Sequence, residues 1–298
     1  MHSKYILFIT ALAPLIWGST YYVTTEFLPA NYPLTVSMLR ALPAGLLLLI
    51  LVRRVPKLSF LPKILLLGTL NFSIFWWLLF IAAYRLPGGV AATVGAVQPL
   101  LVIVFAHLLL GRTIQIISIF AAFLGLCGIG ILILTPSASL DAIGISAGLS
   151  GAVAMALGTV LSRRWQPNET VLTFTAWQLL ASGLVLLPFS LWLEPPLPDL
   201  SVNNIMGLSY LCIAGAAVSY ILWFKGVATL SPASISTLTF ISPIIAVIIG
   251  WALLDQSLNN LQLFAMAIIL FSIWVSQHNN YKNRKFLNVF DVFRFFKN

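Results

Sequence analysis

Arg40 is the residue best placed to do chemistry, because it is a full charge inside a long apolar run. Its guanidinium carries five donors in a planar fork, the geometry that holds a carboxylate or a phosphate. The other polar residues near the middle of apolar runs are Ser19, Thr20, Asn71, Thr93, Gln98, Gln178, Ser219, Thr237, Thr239 and Ser242. Trp17, Trp76, Trp77, Trp177 and Tyr220 occur at similar depths, away from the interfacial positions such residues favour in membranes. Ligand pockets combine apolar and aromatic walls with a few placed polar groups. This pattern predicts a cavity lined by Trp17, Asn71, Trp76, Gln98, Trp177, Gln178, Tyr220 and Ser242, with Arg40 as a candidate anchor for an anionic group. Each aromatic has a plainer reading as helix packing or lipid contact. Arg40 has one as a structural cation that binds backbone carbonyls or reaches outward toward Glu26.

No Asp or Glu lies deep in any apolar run, so a proton relay through buried carboxylates is not expected. Coupling, if any, falls to an interfacial group such as Glu26 or Asp255. His107 reads as a packed interface histidine rather than a proton carrier. Catalytic triads, zinc-ligand spacing and phosphate-cradling glycine loops are absent from the sequence, so no enzyme, metal or cofactor is expected.

The elements that must position these residues are transmembrane helices. The chain of 298 residues is 60% hydrophobic and 8% charged. A soluble domain carries roughly 25% charged residues and about 45–50% apolar ones. The net charge of +9 comes from short basic clusters between apolar runs, which is what membrane orientation requires and needs no nucleic acid. Cys127 and Cys212 each sit inside an apolar run and imply neither a disulfide framework nor a metal motif. The start resembles a signal peptide with Ala11-Leu12-Ala13 as its cleavage site. Its apolar stretch before that site is too short, and the run continues to about Phe27, so it reads as an uncleaved first span.

Ten runs approach the ~20 residues that cross a bilayer: Tyr5–Phe27, Pro33–Leu51, Lys63–Tyr84, Gly88–Leu110, Ile114–Leu134, Ala142–Ser162, Thr170–Leu193, Ile205–Gly226, Pro232–Leu254 and Asn259–Ser276. With the N-terminus inside, 14 basic residues fall on the cytoplasmic side, and Arg85 alone falls outside. Both termini are therefore expected in the cytoplasm. On this topology Arg40 lies about seven residues into span two, roughly 10 Å below the outer surface at about 1.5 Å per residue.

The segment from Gly88 to Thr113 repeats in pattern from Pro232 to Ser257. Setting Pro99 on Pro243 also aligns Leu86 with Leu230, Thr93 with Thr237 and Leu109-Leu110 with Leu253-Leu254, an offset of 144. Gly18-Ser19 matches Gly158-Thr159, and Thr35, Arg40 and Gly45 match Thr173, Gln178 and Gly183. Each proline removes a donor and clashes with the carbonyl four residues earlier, Gly95 or Thr239, so Pro99 and Pro243 are expected to break their helices. Such breaks in hydrocarbon survive only beside protein or a cavity, and paired breaks point to a transporter site. The fold expected is an all-α polytopic membrane protein whose ten transmembrane helices form two inverted five-helix repeats, residues 1–137 and 138–280. The tail 281–298 reads as a basic amphipathic helix on the cytoplasmic membrane surface, or else as a frayed end.

The chain resembles the drug/metabolite transporter superfamily, in its ten-helix EamA-type branch, over about Tyr5 to Ser276. The resemblance rests on Ile16-Trp17-Gly18-Ser19-Thr20, Leu39-Arg40-Ala41, Ala82-Ala83-Tyr84-Arg85 followed by Gly89-Val90-Ala91-Ala92, and the two proline segments. It implies paired five-helix units around a central cavity and movement of small metabolites outward across a bacterial inner membrane. The acid that often follows the Leu-Gly ending spans four and nine is replaced by Arg112 and Gln256, so any role of that acid is not carried over.

The function expected is export of small amphipathic metabolites, amino acids or related compounds, by rocking of two inverted halves. A zwitterion with an apolar side chain suits an aromatic pocket with few charges. The partners expected are a small-molecule substrate and the lipid bilayer, with the protein a monomer or homodimer. Import of organic anions through Arg40 and a non-transporting membrane scaffold are the rival readings.

Overall fold

The computed structural model describes residues 2–86, 94–133, 141–253, 260–261 and 263–276. Thr93, Asp255, Gln256, the Gly89–Ala92 motif and the tail 281–298 lie outside them. Among the described residues the chain is helical, and seven helices are long and apolar enough to cross a membrane. They are α1 (Tyr5–Phe27), α2 (Pro33–Val52), α3 (Leu58–Arg85), α6 (Ala142–Arg164), α7 (Val171–Leu193), α8 (Val202–Thr229) and α9 (Pro232–Leu253). Three shorter apolar helices complete the set: α4 (Gln98–Leu110), α5 (Ile116–Ile133) and α10 (Leu263–Ser276).

Helix ends follow local chemistry. Asp141 caps α6 by accepting from Gly144 N at 2.6 Å, and Ser201 with Asn204 forms a capping box at the start of α8. Gly111, at φ 62°, ends α4 in the left-handed conformation that glycine adopts without strain. The start of α2 is capped from elsewhere in the chain. Both Glu194 carboxylate oxygens, just beyond α7, accept from Leu34 N and Thr35 N at 2.7 Å.

Packing joins residues before and after the midpoint of the chain. α2 lies along α7, α1 against α8 and α9, and α6 against α3 and α4. The α2–α7 contact is close because two glycines face it. A Cβ on Gly45 would collide with the backbone of Leu180, and one on Gly183 would lie 2.5 Å from Leu42 Cα. Small residues of this kind let helix backbones approach in a membrane. The two approaches are reciprocal. Leu42 stands to Leu180 as Gly45 stands to Gly183, so each glycine sits beneath the leucine of the other helix. As residue numbers rise along α2 the touching residues fall along α7, so the pair is antiparallel.

α3 and α8 share an irregularity. Each changes to π-helical hydrogen bonding in its middle, at Thr69–Ile74 and Ile213–Val218, before an eleven-residue α-helix. The π turn widens the helix, releases carbonyls from the regular ladder and often marks a functional position.

Candidate functional site

The two proline helices break where the freed carbonyls were expected, and both breaks face one cavity. In α9 a first helix, Pro232–Leu238, ends in a turn at Thr239 and Phe240, and a second runs over Ile241–Leu253. Upstream of α4, Ala96 and Val97 form the corresponding turn before Gln98. Pro99 and Pro243 thus stand in the first turn of the resumed helix, where a missing N–H costs least. Gly95 and Ala96 from one break and Thr239 and Phe240 from the other line the same cavity. The Thr239 carbonyl is not left free: Ser242 N donates to it at 3.1 Å in place of the absent proline donor.

The cavity holds about 110 Å³. Of the residues expected from sequence, Trp17, Arg40, Trp76, Gln98, Tyr220 and Ser242 line it. Pro243 is also on its wall, whereas Pro99 is buried and does not line it. Asn71, Trp177 and Gln178 are placed elsewhere. Asn71 Nδ2 donates to Ser162 Oγ and to Gln178 Oε1, both at 2.8 Å, in a buried polar knot between α3, α6 and α7 that leaves Asn71 Oδ1 without a partner. Trp177 packs with Phe174, Ile64 and Leu67, and its indole donates to Arg54 O at 2.7 Å. A position on a helix apolar all round does not reveal which neighbour it will face, and here packing turned these three away. Thr20, Tyr21, Phe75, Met155 and Phe240 are wall residues that the pattern missed or left unassigned. Thr20 and Thr239, both polar and in mid-run, were the signals available.

Aromatic rings from α1, α3 and α8 close one end of the cavity. Trp17 lies 4.8 Å from Tyr220 and 5.1 Å from Trp223, and Phe72 lies 4.6 Å from Tyr220 and 5.0 Å from Trp76, measured between ring centroids. Trp76 Nε1 donates to Tyr220 Oη at 3.3 Å. Behind these rings runs a hydrogen-bonded chain: Trp17 Nε1 donates to Ser219 Oγ at 2.9 Å, and Ser219 Oγ donates to Gly215 O at 2.8 Å.

Arg40 reaches the same carbonyl. Its Nη2 donates to Gly215 O at 2.7 Å, inside the π turn of α8, and its guanidinium carbon lies 4.3 Å from the centre of the Trp76 ring. The side chain is 2% exposed, and Nε has no partner. Expectation left open whether Arg40 reaches backbone carbonyls, Glu26 or a ligand. It takes a carbonyl, and its charge meets no carboxylate among the described residues. Placing an arginine at the centre of a span costs about 2.5–3.5 kcal/mol on insertion scales. A hydrogen bond from a charged donor returns about 1.5–3 kcal/mol, and a desolvated cation–π contact about 2 kcal/mol. These contacts offset the placement while leaving the charge without a counter-ion.

Gln178 holds the corresponding place beside the other π turn. Arg40 of α2 meets the turn in α8 at Gly215, and Gln178 of α7 meets the turn in α3 at Asn71. The remaining candidates sit apart from the cavity. His107 Nδ1 is 2.9 Å from Arg112 O at the end of α4, an exposed local contact, and Glu26 is exposed. Cys127 and Cys212 are free thiols. Among the described residues no group of His, Cys, Asp or Glu is arranged to hold a metal.

Comparison with known proteins agrees with this architecture. The model of the EamA-like transporter family matches residues 4–134 and again 142–276. Protein PecM of Dickeya dadantii is 43% identical over 268 residues, covering 89% of this chain and 90% of that protein. The uncharacterized inner membrane transporter YedA of Escherichia coli K12 is 28% identical over 265 residues, with 87% and 86% covered. A solved crystal structure covers 94% of this chain and 98% of its own at a TM-score of 0.79, a likeness of fold at 19% identity. With its spanning helices and these matches over most of its length, the chain is a multi-pass membrane protein that belongs to the EamA-like transporter family.

Proposed function

We propose that this protein exports small metabolites across a bacterial inner membrane by alternating access. Ten spans form two inverted five-helix repeats, residues 1–137 and 138–280, around the aromatic cavity. The observation that carries the reading is that the Gly95–Ala96 and Thr239–Phe240 breaks, one from each repeat, line one cavity. Membrane transporters of inverted-repeat design place substrate at such paired interruptions.

The inverted relation is supported by the reciprocal approaches of Gly45 to Leu180 and Gly183 to Leu42. Contacts in which i meets j′ and j meets i′ are those a two-fold axis produces. Because α2 and α7 are antiparallel, that axis runs across them and lies in the membrane plane. The π turns at Thr69–Ile74 and Ile213–Val218 repeat the offset that separates the prolines.

The packing argues against the two contiguous halves as the moving bodies. Pulling those apart would strip α2 from α7, α1 from α8 and α6 from α3 and α4. The pairing instead favours one bundle of α1, α8 and α9 rocking against one of α3, α4 and α6, with α2 and α7 between them. In the orientation set by the basic clusters, the wall residues Thr20, Tyr21 and Leu79 lie on the outer side of the aromatic layer. The Asn71, Ser162 and Gln178 knot then closes the cytoplasmic side.

Reconstituted vesicles test the reading. Wild-type protein should move labelled metabolites outward, and a Trp76→Ala/Gln98→Ala variant that remains folded in the membrane should not. Normal transport by that variant, or uptake without efflux, defeats the proposed site or the proposed direction respectively.

A further inference from the structure

Among the described residues, six buried side-chain polar atoms have no hydrogen-bond partner. Three of them, Thr20 Oγ1, Arg40 Nε and Gln98 Nε2, belong to residues lining the cavity between the two proline breaks. All three side chains are more than nine-tenths buried, at 4%, 2% and 7% exposure. They come from three different helices, so no local turn explains the gathering. Native interiors keep few buried polar groups unsatisfied, and each such group carries its full desolvation penalty.

All three atoms can donate. Arg40 Nε and Gln98 Nε2 only donate, and a threonine hydroxyl donates as readily as it accepts. The wall contains no Asp or Glu that could receive an ammonium group, and none that could neutralise Arg40. A buried charge is stable when paired, and this one has a carbonyl and a ring face but no anion. Trp17, Trp76, Phe75 and Phe240 border a partly open space of about 110 Å³. Dry cavities of about 150 Å³ admit benzene, so the smaller space here seats the polar end of a small planar group, with the rest reaching its open side.

We propose that the cavity takes a small planar monocarboxylate, whose carboxylate supplies the counter-ion of Arg40 and accepts from Gln98 and Thr20. This rests on the transport reading for the location of the site and replaces the zwitterion suggested by the sequence. A zwitterion brings an ammonium group for which the wall offers ring faces but no carboxylate. Arg40 keeps its bond to Gly215 through Nη2, so the ligand engages the guanidinium by its remaining N–H groups. The anion therefore binds to the side chain that anchors the π turn of α8.

Three probes of similar size vary the charge carried by one ring: the planar pair benzoate and benzamide, and the cation benzylammonium, measured on the purified full-length protein by thermal shift and calorimetry. Benzoate should raise the unfolding temperature and bind at least about tenfold more tightly than benzamide, as expected when neutral hydrogen bonds become charge-assisted. Benzylammonium should give no shift. Because Arg40 variants also lose the Gly215 bond and risk misfolding, Gln98→Leu is the informative substitution. It should leave the unliganded unfolding temperature within a few degrees and weaken benzoate about tenfold. Absence of benzoate binding, equal or tighter binding of benzylammonium or phenylalanine, or benzoate binding unchanged in Gln98→Leu overturns the proposal. Tight binding of benzylammonium that Gln98→Leu abolishes would overturn the anion alone and keep the cavity as the site. Benzoate binding without movement of benzoate in vesicles would instead sink the transport reading and leave the ligand class standing.

Discussion

Trp76 Nε1 donates to Tyr220 Oη at 3.3 Å, and the two residues stand 144 positions apart, the same offset that separates Pro99 from Pro243. Each follows a π turn in its own helix, and together they form part of the aromatic end of the cavity. Two positions separated by the proline offset thus meet each other, the contact expected near a two-fold axis if the proposed repeats hold.

Tyr220→Phe keeps the ring and removes the acceptor. The Trp76 N–H is then stranded in a site 1% exposed, at a cost of about 1–3 kcal/mol. The unfolding temperature should fall accordingly. A Trp76→Phe/Tyr220→Phe double variant should lose less than the sum of the single changes, because the second removes the stranded donor. Strict additivity in that cycle would show that the contact carries no coupling.

Gly45→Ala and Gly183→Ala should each destabilise the protein severely, by more than the about 1–3 kcal/mol typical of overpacking, because the new methyl meets helix backbone rather than a movable side chain. The two losses should be similar in size, since the approaches are reciprocal. Gly95→Ala is the control: nothing lies within 4 Å of its Cβ, so folding should be unaffected. Yield and unfolding temperature in detergent decide the matter.

The Asn71 knot provides a separation between stability and binding. Asn71→Leu leaves Gln178 Oε1 with the longer Ser162 bond at 3.4 Å and should cost about 1–3 kcal/mol. Ligand affinity should be almost unchanged, since neither residue lines the cavity. A large loss of affinity at unchanged stability would return these residues to the site.

Glu194→Gln replaces a charged cap at the N-terminus of α2 with a neutral one. Two backbone donors and the positive end of the helix lose their carboxylate, a change of about 0.5–2 kcal/mol. Hydrogen exchange should quicken first at the amides of Leu34 and Thr35, ahead of the rest of α2. Uniform acceleration along the helix would argue against a local cap.

The sequence by itself determined the membrane class, the approximate extent of the helices, the two proline breaks and the singular burial of Arg40. These depend on composition and on backbone chemistry, which act locally: a run of apolar residues seeks hydrocarbon wherever it is, and proline lacks a donor in every context. It also carried the offsets that place Arg40 opposite Gln178 and Pro99 opposite Pro243. The tertiary structure alone decided which side chains meet. Trp76 turned to the cavity and Trp177 to the Arg54 carbonyl, although both are buried tryptophans in mid-run. Asn71 Nδ2 found Gln178 Oε1, while Asn71 Oδ1 and Gln98 Nε2 each stayed without a partner. Helices that are apolar on every face carry no periodic signal of direction, so orientation is fixed by contacts between segments more than a hundred residues apart.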